Sequence, residues 1–160
     1  MKVRLQSSSI PKKHSDMEPV KIRRARLSDA PRLAELSSQL GYPASRGEIA
    51  QRMKRVRPAA LHAIFVAESK KLVTGWLHVS VTPLLEVALR AEVNGLVVDE
   101  NMRSLGAGAK LLAAAERWAA ARGCKSMSVR SNVVRERAHA FYLRNGYEHY
   151  KSQKAFRKVL

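Results

Sequence analysis

Apolar residues alternate with polar ones through Val20, Ile22 and Leu27, the period-two pattern of a half-buried strand. Ser28-Asp29 ahead of Pro31 marks a helix start, and the helix is expected to run to about Leu40, where Gly41-Tyr42-Pro43 breaks it. A second helix is expected over 47–56, ending before Pro58. Two strand-like runs, 62–67 and 72–81, meet through Ser69-Lys70-Lys71 as a hairpin, and 87–98 reads as a longer strand. The period then changes. Gly108, Leu111, Leu112, Ala115, Trp118 and Ala119 recur at helical spacing, and Gly123 supplies the stop. A strand at 125–130, a helix at 134–144 closed by Asn145-Gly146, and one or two final strands within 147–159 complete a mixed sheet covered by helices.

The length of 160 residues suits one domain, expected over 19–160. Residues 1–18, with Ser7-Ser8-Ser9, Pro11 and Lys12-Lys13, lack a periodic apolar pattern and read as a flexible leader. They hold no apolar stretch of the kind an export signal needs, and the single cysteine, Cys124, cannot form an internal disulfide. The expected location is therefore a reducing cytoplasm. No apolar run approaches the roughly 18 to 20 residues of a membrane span, so no membrane partner is expected.

Charge narrows the partners. The formal net charge is +17, and residues 101–160 hold 13 basic against 3 acidic side chains, +10 of that total. Such a balance points to an anion, either nucleic acid or an anionic cofactor.

The stretch that follows 87–98 shows where an anion would sit. Leu96-Val97-Val98 leads into Asp99-Glu100-Asn101-Met102-Arg103-Ser104-Leu105-Gly106-Ala107-Gly108-Ala109-Lys110, a strand, a glycine-containing loop and a helix start. The first amides of a helix have no intrahelical acceptors and attract anions, while glycine lets the backbone approach a phosphate closely. Arg103 and Lys110 add positive charge. Two common phosphate motifs fail. Lys110 is followed by Leu111 rather than Ser or Thr, and position 111 is not the third glycine of a dinucleotide fingerprint.

What remains, Arg103-Ser104-Leu105-Gly106-Ala107-Gly108, resembles the [QR]-x-x-G-x-[GA] motif of the GNAT superfamily of N-acetyltransferases. About 30 residues on, Ala138-His139-Ala140-Phe141-Tyr142-Leu143-Arg144-Asn145-Gly146-Tyr147 resembles the second signature of that family, A-x-x-[FL]-Y-x-x-x-G-[FY]. The resemblance spans about residues 20–160. It implies an α/β (α+β) fold with a mixed, mostly antiparallel sheet of six to seven strands flanked by about four helices. It also implies acetyl-CoA as co-substrate, with the diphosphate on the amides of about Arg103, Ser104, Leu105, Gly106, Ala107, Gly108 and Ala109. The pantetheine arm would run like an extra strand beside Leu96, Val97 and Val98.

Acyl transfer to an amine sets further requirements. An amine with a pKa near ~10.4 must lose a proton before it attacks, and a positioned base contributes roughly 10²- to 10⁴-fold. Glu92 and Asn94 share a strand face by period-two counting, and either one can point into the slot. Many relatives have the acid at the position of Asn94, two residues from Glu92. By resemblance Tyr142 stabilises the leaving thiolate, and a backbone N–H near Val98 receives the thioester oxygen. Many relatives have Asn where this chain has Arg135, which makes Arg135 a candidate phosphate contact; Asn132 reads equally as a helix cap. Trp76 and His78 share a strand face and are candidates to line the acceptor pocket, with core packing the favoured reading for Trp76.

The five histidines and Cys124 show no ligand spacing, so no metal is expected, and no G-x-S-x-G elbow occurs. The expectation is an acetyl-CoA-dependent N-acetyltransferase acting by direct attack on a primary amine, with a small-molecule acceptor favoured over a protein N-terminus or lysine. A non-catalytic nucleic-acid-binding or regulatory protein on the same fold is the alternative from another class. A homodimer is compatible with either.

Overall fold

The computed structural model describes residues 18–56, 60–103 and 105–160. Its order is β1 (Lys21–Arg24), α1 (Ala30–Gln39), α2 (Arg46–Val56), β2 (His62–Ser69), β3 (Leu72–Val81), β4 (Arg90–Val98), α3 (Ala107–Ala120), β5 (Ser126–Val129) and α4 (Glu136–Arg144). Among the described residues the strands form one sheet in the order β1-β2-β3-β4-β5. The first three pairings are antiparallel and β4 with β5 is parallel, because α3 carries the chain back across the sheet.

Alternation along the strands assigns the two faces. Ala63, Ala67, Leu77, Val79, Ala91 and Val93 pack on Leu111, Leu112, Ala115 and Trp118 of α3. The opposite face places Val66, Val73 and Val97 against Leu33 and Leu36 of α1 and Met53 of α2. Each such side chain contributes roughly 1.5 to 3 kcal/mol by leaving water. Pro31 stands in the first turn of α1. Just ahead of it, the Asp29 carboxylate accepts two hydrogen bonds from Arg23, at 2.8 and 2.9 Å, and one from the Arg26 amide at 2.7 Å.

Two irregularities position the site. The β2–β3 register shifts at Ala67/Glu68. In β4 the partners step from Val79↔Val93 to His78↔Gly95, which leaves Asn94 as the extra residue of a bulge. Beyond that bulge the parity reverses: Leu96 and Val98 join the α3 side and Val97 the α1 side.

The sheet differs from expectation at its far edge. Residues 147–160 contain no strand, so the sheet has five strands among the described residues, not six to seven. The segment has a strand-like composition but no backbone pairing to β5, and Tyr150, Phe156, Val159 and Leu160 stand exposed. Alternation records suitability for a sheet; pairing needs a partner edge as well. The four helices match expectation, with α4 beginning two residues later than its apolar pattern suggested. Of the expected leader, 1–18, only Glu18 is described, its carbonyl accepting from the Ser69 hydroxyl at 3.2 Å.

Candidate active site

β4 and β5 part company. Their pairing runs from Arg90↔Ser126 to Val93↔Val129, after which β5 ends and β4 continues to Val98. Leu96, Val97 and Val98 therefore pair with β3 on one side, opposite Leu77, Trp76 and Gly75, and their other backbone edge pairs with no strand among the described residues. An extended chain of amides can pair with such an edge.

That edge leads directly to the start of α3. Gly106 is its N-cap, with φ of +77°, a left-handed conformation that glycine adopts without strain. Among the described residues no side chain caps the helix, and the first intrahelical donor is Lys110, whose amide reaches the Gly106 carbonyl at 3.0 Å. The amides of Ala107, Gly108 and Ala109 are thus the free donors of the first turn. A β-carbon on Gly106 would meet nothing within 4 Å, so the approach to these amides is open. Arg103 is exposed on this loop, its Nε donating to the Val98 carbonyl at 3.4 Å, and Leu105 is exposed beside it. Ser104 lies outside the described residues. Lys110 turns away, its ammonium donating to the Val20 carbonyl at 3.2 Å.

The loop is anchored by residues the sequence pattern did not single out. The Asp99 carboxylate accepts from the Asn101 amide at 2.9 Å and pairs with the Arg32 guanidinium, while the Glu100 amide donates to Gln39 Oε1 at 3.0 Å. The Asn101 amide and Arg32 hold the Asp99 carboxyl below its usual range against the opposing effect of burial. Arg32 also donates to the Val73 carbonyl at 3.0 Å, so α1, β3 and the loop share one guanidinium. Only contacts across 67 residues of chain reveal this, and no local spacing carries that signal.

Tyr142 lies on α4, half-buried among aromatic rings: Phe141 at 5.3 Å and Tyr147 at 5.7 Å between centroids, both edge-on. The Phe141 ring covers Gly108, where a β-carbon would approach it to 3.2 Å, and this contact seats α4 on the first turn of α3. Burial pushes the Tyr142 phenol up to about 12, against the opposing influence of the Arg135 charge. It is a neutral donor across the physiological range. Arg135 itself donates to the Leu40 carbonyl at 2.9 Å, at the end of α1. The only hydrogen bond its side chain makes among the described residues is there, and not with the α3 amides.

Glu92 sits across β4 from the α3 face, and its carboxylate Oε1 is 2.5 Å from Arg130 Nε. Asn94 turns to Ser80, donating to its hydroxyl at 2.8 Å. Of the two, Asn94 lines a cleft of about 520 Å³ between the sheet and helices α1 and α2; Glu92 does not. Trp76 and His78 both line it, as the shared strand face suggested, and the Trp76 ring lies over Gly95. The remaining wall is apolar, from Leu33, Leu40, Ile49, Met53, Val56 and Ile64, with Ser37, Tyr42 and Arg52 as its other polar members. No carboxylate lines it among the described residues. Helical periodicity placed α1 and α2 without indicating which of their side chains would border an opening.

Among the described residues no helix is long and apolar enough to cross a membrane, and no cluster of three metal-ligating side chains occurs.

Comparison with known proteins identifies the family and the fold. The model of the acetyltransferase (GNAT) family matches residues 30–147. No curated protein matches the chain in sequence. Among solved structures, an aminoglycoside N-acetyltransferase AAC(6')-Iy in complex with CoA superposes with a TM-score of 0.81 at 18% identity, covering 92% of this chain and 99% of the other. Glucosamine-6-phosphate N-acetyltransferase from Arabidopsis thaliana gives 0.75 at 21% identity, covering 88% and 99%. A transcriptional regulator from Bacillus halodurans C-125 gives 0.76 at 22% identity, covering 86% and 99%.

Proposed function

The chain belongs to the GNAT acetyltransferase family, and from that premise we propose that it transfers the acetyl group of acetyl-CoA to the primary amine of a small, largely apolar molecule. One observation carries the reading: β4 supplies both the cleft floor, at Asn94 and Gly95, and the open edge, at Leu96 to Val98. A thioester extended along that edge ends where an amine in the cleft can reach it.

The residues present fit the co-substrate. The amides of Ala107, Gly108 and Ala109, with no side-chain cap in competition, suit the diphosphate, and Arg103 stands beside them. An amide near Val98 is the donor for the thioester oxygen. The Tyr142 hydroxyl donates a hydrogen bond to the departing thiolate. Outright proton transfer from a phenol near 12 to a thiolate near ~8.5 would be uphill by about 5 kcal/mol, so hydrogen bonding is its role.

The cleft lining selects the acceptor. An ammonium beyond the reacting one would be desolvated against apolar walls without a carboxylate to offset the loss. Arg52 and Tyr42 at the border suit a neutral or anionic polar group. Steady-state thiol release across an amine panel tests the reading. Arylalkyl and alkyl monoamines are expected to exceed polyamines and aminoglycosides in kcat/KM by at least about tenfold. A preference for polycations, or for peptides over all small amines, would refute it.

A further inference from the structure

His62 on β2 and His78 on β3 form a stacked pair, ring centroids 5.4 Å apart and His62 Nδ1 3.1 Å from His78 Nε2. His78 borders the acceptor cleft. His62 borders a second hollow of about 240 Å³ with Arg24, Ala25, Val56, Ala63 and Ile64. Val56 and Ile64 line both spaces and so form the partition between them. The two imidazoles cross that partition side by side. No other hydrogen bond engages the His78 imidazole among the described residues, which leaves its Nδ1 uncommitted.

We propose that His78 accepts the proton of the acceptor ammonium and that His62 passes it to solvent. The inference rests on the acetyltransferase reading of the cleft. The other titratable or charged cleft-lining groups are Tyr42 and Arg52, neither an imidazole nor a carboxylate, and Glu92 is ion-paired to Arg130 outside the lining. In the step, an ammonium N–H bond breaks, its electron pair stays on nitrogen, and the proton bonds to His78 Nδ1. The Nε2 proton of His78 moves to His62 Nδ1, and His62 releases one from Nε2 to water. The rings regain their starting tautomers by exchange with solvent. The amine, now neutral, attacks.

Burial, and after it the neighbouring His62, pushes His78 down to about 4, so it enters the reaction neutral. The charges facing the pair are Arg52 of α2 on the cleft side and Arg24 of β1 on the other; Trp76, Ser80 and Asn94 are uncharged. Both guanidinium charges, like burial, disfavour a resident proton, so the pair conducts and does not store. Transfer from an amine near ~10 to an imidazole near 4 is unfavourable by about a million-fold. From an attempt frequency of ~6 × 10¹² s⁻¹ this leaves roughly 10⁶ to 10⁷ passages per second, well above ordinary turnover of about 1 to 10³ s⁻¹.

The test uses the full chain and an amine turned over by the wild type, whose activity verifies the underlying reading separately. His78→Gln is expected to lower kcat by about 10²- to 10⁴-fold with CoA affinity unchanged. His62→Ala is expected to lower kcat less, to regain rate with added imidazole, and to raise the midpoint of the His78 resonance in an NMR titration by removing a like charge. A His78→Gln enzyme with wild-type kcat would overturn the assignment of His78. A His62→Ala enzyme that ignores imidazole, or leaves the His78 midpoint where it was, would overturn the relay.

Discussion

The ring of Phe141 occupies the space over Gly108 that any side chain at that position would enter, with Cε2 and Cζ both 3.2 Å from the projected β-carbon. The two segments whose residues resemble family signatures are therefore in direct contact: Gly108, in the first turn of α3, is also the seat of α4, and Tyr142 follows Phe141 immediately. Gly108→Ala requires the ring to give by a few tenths of an ångström, and Gly108→Val requires more. The valine variant is expected to lose about 1 to 3 kcal/mol of stability and to lose turnover beyond what its CoA affinity explains, because Tyr142 moves with the ring. Thermal melts alongside steady-state kinetics measure both.

Tyr142→Phe removes the donor while keeping the ring. A fall of about 10²-fold in kcat is expected, with the CoA dissociation constant from calorimetry unchanged. Because burial holds the phenol near 12, wild-type kcat should show no alkaline loss attributable to Tyr142 below about pH 10. Equal loss of binding and turnover would remove the residue from the chemical step.

Arg103 lies exposed beside the free amides of α3, where a phosphate contact would be charge-assisted but screened. Charge reversal, Arg103→Glu, should weaken CoA about tenfold or more at low salt and by less at 0.5 M salt. Binding that is indifferent to the reversal would place the diphosphate elsewhere.

Acid sensitivity should trace to Asp29. Burial pushes its carboxyl up, but hydrogen bonds from Arg23 and the Arg26 amide outweigh that and hold it below the ordinary range. The folded state therefore binds the proton less readily than the unfolded one. The resulting stability is fully present above about pH 4 and is lost as pH falls from there through the folded value. Asp29→Asn should cost about 2 kcal/mol at pH 7 and flatten the decline in urea midpoint below about pH 4.

Arg52 offers a test of acceptor choice. Arg52→Glu would place a carboxylate in a lining that has none among the described residues, and should raise kcat/KM for a diamine relative to a monoamine.

Much of this was legible from local pattern. Alternation and helical spacing located β2, β3, β4 and the buried stripe of α3, because the strands carry apolar side chains against a helix layer on either face and α3 turns one stripe to the sheet. The helix start at Gly106 and the aromatic pair at 141–142 followed from motif spacing. Composition was insufficient at 147–160, where alternating side chains meet no strand edge. The imidazole pair was hidden for a different reason. A regular hairpin turning between Lys70 and Lys71 sets His62 opposite Val79; the shift at Ala67/Glu68 sets it opposite Ser80 and so brings it onto the face of His78. Arg32 with Asp99, and Arg135 with Leu40, are contacts between distant segments with no local signature at all.

The single inserted residue at Asn94 makes β4 two half-strands of opposite phase. Deleting it would leave a regular ladder in which Gly95, Leu96, Val97 and Val98 keep their partners on β3 and their faces, so the deletion should remove the bend and the Asn94 side chain from the cleft without repacking the core. Correspondence between this strand and a homologous one consequently depends on where each carries its extra residue. Two positions equal in count from the motif can lie on opposite sides of the sheet, and an acidic residue displaced along one member need not have lost its counterpart's surroundings by the distance the count suggests.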